Sequence, residues 1–159
     1  MTPGQDEPLV FPSPMRSFLV FAQSAEARVD IDSWTAHAER FFATRIGLAA
    51  SAPPSWTFVI APDGQPSDIR VAYARLREND DLALADAADS AGTGLARLAR
   101  RCPTVWLVSR EAPDDGVALR LATILASVLL GPILDARVPE LLGVKSARSR
   151  LERSYNVRS

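Results

Sequence analysis

At 159 residues the chain is long enough to bury about two thirds of its unfolded surface, and 47% hydrophobic residues suit a packed globular body. A net charge of −1 excludes a strongly basic nucleic-acid binder and a strongly acidic mimic. The lone cysteine, Cys102, excludes an intramolecular disulfide and favours a reducing compartment.

Of 18 lysines and arginines only Lys145 is lysine, a bias that fits the composition of a GC-rich bacterial genome. Residues 1–16 carry Pro3, Pro8, Pro12 and Pro14 with few periodic apolar positions, which predicts a flexible Pro-rich arm before one globular domain at 17–159. Acids and prolines stand where a signal peptide would have basic residues and an apolar run, so a cytoplasmic protein is expected.

The run 18–23 is apolar on both faces and reads as a central strand. Asp32 is placed to cap a helix over 33–46, with Trp34, Ala38, Phe41, Phe42 and Ile46 on its apolar face and Gly47 as its stop. A loop is expected at 47–54. A second strand follows at 56–61, then a Pro62-Asp63-Gly64 turn. Alternation of Ile69, Val71 and Tyr73 with Arg70 and Ala72 makes 69–74 a hairpin partner of the second strand.

Residues 82–102 favour helix, but Gly92 and Gly94 divide them into two pieces, and 81–86 has an alternative reading as an edge strand. A buried strand at 105–108 precedes the most distinctive segment, a helix at 115–130 that is apolar almost all round. Only Arg120, Thr123 and Ser127 break it, on one narrow stripe, so the helix belongs in the interior. Asp114 or Asp115 would cap it. Gly131, by a left-handed turn, and Pro132 would end it. A short strand at 133–136 and an amphipathic basic helix at 144–155 complete the chain.

This order predicts an α+β (or α/β) protein with a single mixed sheet of four to six strands and helices packed on it. The first six elements match a ferredoxin-like βαββαβ core, followed by a C-terminal helix–strand–helix extension.

The sequence offers little chemistry. His37 sits within a helical turn of Trp34 and Phe41, the place of a packing histidine. Cys102 follows Arg100-Arg101, which could lower a thiol pKa, yet a cysteine before a strand is ordinarily a small buried hydrophobe. No metal-ligand spacing, P-loop or nucleophile elbow is present, and Gly92-Thr93-Gly94 lacks the strand and third glycine of a phosphate loop. No catalytic residue, metal or cofactor is therefore expected. The leading expectation is a non-enzymatic cytoplasmic protein-interaction module whose partner is another protein, with neither membrane nor nucleic acid involved. Its contacts would include the basic tail, Arg148, Arg150 and Arg153. The alternative is a small-molecule-binding protein or enzyme holding an anionic ligand through Arg70, Arg75 or Arg77, with Tyr73 as a wall.

Overall fold

The computed structural model describes residues 11–62, 68–89, 92–110 and 115–158; the 62–64 turn, the Asp114 cap and leader residues 1–10 lie outside them in whole or part. After a 3-10 turn at Pro14–Arg16, β1 (Ser17–Ala22) is buried along its whole length, as its unbroken apolar run predicts.

Helix α1 (Ile31–Phe42) is capped by Asp30, not Asp32: the Asp30 carboxylate accepts the Ser33 N–H at 3.3 Å. It also ends earlier than its apolar stripe suggests. Ala43 takes a left-handed φ of 49°, and β2 (Thr44–Ala52) follows where a helix end and a loop were expected. Ile46, read as the last turn of the helix, is instead a buried strand residue opposite Ile60. Pairing with β3 (Ser55–Pro62) outweighs the weak strand propensity of a segment rich in alanine and glycine.

β3 and β4 (Asp68–Leu76) form the expected hairpin. Residues 81–86 are helical, within α2 (Asn79–Ala88), and α3 (Leu95–Arg100) is the second piece beyond the glycines. Then come β5 (Thr104–Ser109), α4 (Asp115–Leu129), β6 (Ile133–Asp135), β7 (Glu140–Leu142) and α5 (Val144–Arg158).

The fold is mixed α+β, with one sheet in the order β2-β3-β4-β5-β1-β6-β7 and every neighbouring pair antiparallel. Three expectations change here. The sheet is antiparallel at every pairing among the described residues, where a mixed sheet was expected. Among the described residues the strands number seven, not four to six, because β2 and the three-residue β7 carry too little apolar pattern to be read as strands. The ferredoxin-like arrangement is also absent: its strand–helix–strand units are split by an intervening strand, whereas β4 and β5 are direct antiparallel partners.

Alternation along the strands sorts the core into two layers. On one face α1, α4 and α5 cover Phe18, Val20, Phe58, Trp106 and Ile133. Trp106 stacks on Trp56 with centroids 4.8 Å apart and meets Trp34 edge-on at 5.8 Å. On the other face α2 and α3 cover Leu19, Phe21, Val105, Leu107 and Leu134. Ten of the fifteen residues of α4 are buried, so the apolar helix is interior as its composition requires. No helix among the described residues is long and apolar enough to cross a membrane.

Candidate functional site

The C-terminal end of α4 carries one of the two left-handed non-glycine residues among the described residues. Its last turn lies against β1: Phe21 N–H donates to Pro132 O at 3.0 Å, and Gln23 N–H donates to Leu129 O at 3.0 Å. A Cβ on Gly131 would run into the Phe21 carbonyl and stand 3.2 Å from Cys102 Sγ, so only glycine permits this approach. The left-handed residue expected at Gly131 is therefore displaced by one. Leu130 adopts it, with φ 62°, and its side chain is thrown outward to 61% exposure. A left-handed conformation costs a side-chain-bearing residue about 1–2 kcal/mol, which contacts elsewhere must offset. The Gln23 side-chain amide holds the turn by donating to Leu130 O at 2.6 Å.

Leu130 stands at an apolar groove of about 260 Å³ between α3 and the start of α5, lined by Leu95 and Leu98 on one side and Gly143 and Val144 on the other, with Gly131 and Pro132 among the residues between. Gly143 faces Leu95 across the groove, and a Cβ at position 143 would stand in ordinary contact with Leu95 Cδ2, at 3.8 Å. Ser146 Oγ accepts the Gly143 N–H at 3.0 Å and donates back to Gly143 O, fixing the entry into α5.

Ser127 also lines this groove, and its hydroxyl is 2.7 Å from His37 Nε2. The polar stripe of α4 is thereby accounted for. Ser127 meets α1, Thr123 back-bonds to Leu119 O at 2.7 Å, and Arg120 reaches Thr44 Oγ1 at 3.4 Å. His37 also packs on Phe41, centroids 4.7 Å apart. A serine hydrogen-bonded to a histidine is half of a nucleophile–base pair. Acyl transfer also needs a group orienting the base and donors for an oxyanion. Ser127 lies inside α4, where backbone N–H groups are spent on the helix, so the pair joins two helices.

The arginines singled out in the sequence do not converge. Arg75 binds Asp81 through two bonds of 2.6 and 2.9 Å, and the hydrogen bond to Asp81 raises the guanidinium pKa against the opposing effect of burial. Arg77 donates to Arg100 O and Cys102 O, closing the chain around the end of α3. Arg70, at 6% exposure, lies on the opposite face of β4 from Tyr73 and Arg75. Tyr73 receives the Phe11 ring edge-on at 6.3 Å.

In the tail, Arg150 donates to Asp135 at 2.9 Å, while Arg148 lies over the Phe42 ring at 4.8 Å and Arg153 is exposed. Asp135 has no exposed surface and also accepts from Arg110 at 2.6 Å; Arg110 in turn pairs with Asp115 and covers Phe18 at 4.0 Å. Cys102 is fully buried, and burial pushes its thiol pKa up, against the weaker pull of Arg77. That is the environment of an unreactive thiol.

No group of three or more His, Cys, Asp or Glu side chains among the described residues could hold a metal ion. Compared with protein families, curated proteins and solved structures, the chain matches none.

Proposed function

We propose that this chain is a non-enzymatic protein-interaction module of a bacterial cytoplasm, an adaptor, immunity protein or accessory factor of a secretion or defence system, and that its partner docks at the Leu130 groove. The observation that carries this reading is a large apolar side chain held in solvent by a strained backbone, beside an open apolar groove. Backbone strain persists where the surroundings enforce it, and such positions gather at ligand-binding sites. An exposed leucine flanking a groove offers a partner both a knob and a hole, the pattern of a buried anchor ringed by weaker contacts. The competing anionic-ligand reading has less support, since Arg75 and Arg77 are engaged by Asp81 and by backbone carbonyls.

The test is quantitative affinity capture of the native chain beside a Leu98→Asp variant, each checked by circular dichroism for folding. A stoichiometric protein held by the native chain and lost by the folded variant supports the groove. Equal capture by both removes it.

A further inference from the structure

The walls of the Leu130 groove carry cations at their rims. Arg101 follows Leu98 by three residues at the end of α3, so the two share a side of that turn, and Lys145 adjoins Val144 at the start of α5. Both residues are exposed, and among the described residues neither side chain makes an ion pair or a hydrogen bond. Arg148, one turn beyond Val144, is exposed as well and meets only the Phe42 ring. The acids of the neighbouring segments are engaged: Asp89 accepts the Thr93 and Ala96 N–H groups, Glu26 holds Arg28, and Asp86 holds Arg100.

The backbone bordering the groove is also engaged. Leu129 O accepts the Gln23 N–H, Leu130 O the Gln23 side chain, Pro132 O the Phe21 N–H, and Gly143 O the Ala147 N–H. An extended peptide needs main-chain groups to pair with, and these are taken. A helix satisfies its own backbone and brings only side chains. At about 260 Å³ the groove falls below the roughly 300–1,000 Å³ of a pocket for a drug-sized ligand, so it suits a few apolar side chains of a larger partner. Its lining is aliphatic, whereas nucleic-acid bases would stack on aromatic rings.

We propose that the groove receives an acidic amphipathic helix of the partner protein. Its apolar stripe seats between Leu98 and Val144 against Leu130, and its flanking carboxylates face Arg101 and Lys145. The chemistry of the docked segment rests on the reading of the groove as the docking site and goes one step past it. The apolar contacts supply the affinity, while the unneutralised cations select the sign of the partner and speed its approach.

The full chain, isotopically labelled for amide resonances, is titrated with stapled helical peptides that share one leucine stripe and carry glutamate, glutamine or lysine elsewhere. The glutamate peptide should bind about tenfold more tightly than the glutamine peptide, with shifts centred on Leu95, Leu98, Leu130 and Val144. The preference should shrink as salt rises through the screening range. Arg101→Glu and Lys145→Glu together, in a chain whose circular dichroism stays native, should reverse the order and favour the lysine peptide. Equal binding of glutamate and lysine peptides at the groove overturns the acidic helix and leaves the groove reading standing. Absence of groove shifts with every peptide also overturns it, and the groove then stands or falls on the Leu98→Asp capture. Tighter engagement of the same residues by phosphatidylserine vesicles than by the glutamate peptide overturns it as well, making this face a membrane contact.

Discussion

Arg150, on the terminal helix, donates to the fully buried carboxylate of Asp135 at 2.9 Å, tying α5 to β6 from inside the fold. The basic tail therefore contains unlike residues. Arg150→Gln should cost about 1–3 kcal/mol, because it leaves a buried carboxylate with one cationic partner fewer. Arg148→Gln and Arg153→Gln should each cost under about 1 kcal/mol, as exposed charges do. Urea denaturation of the three single variants separates them, and equal losses would show that the Asp135 contact is not made.

Leu130 and Gly131 should respond in opposite directions to small changes. Leu130→Gly relieves the left-handed strain and should stabilise the isolated chain by up to about 1 kcal/mol. Gly131→Ala forces a methyl into the Phe21 carbonyl and should destabilise by about 3 kcal/mol or more. Thermal melts of both variants check this; a tolerated Gly131→Ala would mean that α4 and β1 do not meet backbone to backbone.

Much of the fold was legible where one interaction decides the local structure. The apolar runs of β1, β5 and α4 must be covered, and they are: β1 is buried throughout, β5 in all but its last residue and α4 in ten of its fifteen. Strand β2 was hidden because Thr-Arg-Ile-Gly-Leu-Ala-Ala-Ser-Ala has few branched or aromatic residues, and because Gly47 resembles a helix stop while Ala43 ends the helix. The groove was less legible. Its walls come from residues 95–98, 126–132 and 143–144, which only the topology brings together. The one local signal was Leu-Leu-Gly-Pro at 129–132, where glycine serves close approach and leaves the left-handed turn to its neighbour. His37 and Ser127 likewise lie ninety residues apart, and neither announces the other.

Leu125 has no exposed surface and sits in the first core layer. Leu125→Ala should cost about 2–5 kcal/mol, the range for a buried leucine whose cavity cannot collapse. A loss below about 1 kcal/mol in chemical denaturation would mean that α4 is not the centre of the core.

Asp115 gives a pH dependence of definite sign. Its hydrogen bond to Arg110 holds the carboxyl below the usual carboxylate range, against the opposing effect of burial. The depressed folded-state pKa means that the unfolded chain binds this proton more readily. The contribution is therefore complete above the unfolded value and is lost as pH falls through the folded one. The stability gap between wild type and Asp115→Asn should hold from about pH 8 to about pH 5 and close below about pH 4. A gap that widens in acid would contradict the pairing.

The most direct measurement of docking at the groove is site-specific photo-crosslinking in cells that express the chain, with the reactive side chain at position 130 and, as control, at Glu152 on the exposed face of α5. A partner seated beside Leu95, Leu98 and Val144 predicts one dominant protein adduct from position 130, absent from position 152 and abolished by Leu98→Asp in a folded chain. Equal labelling from both positions, or no protein adduct from position 130, would contradict it.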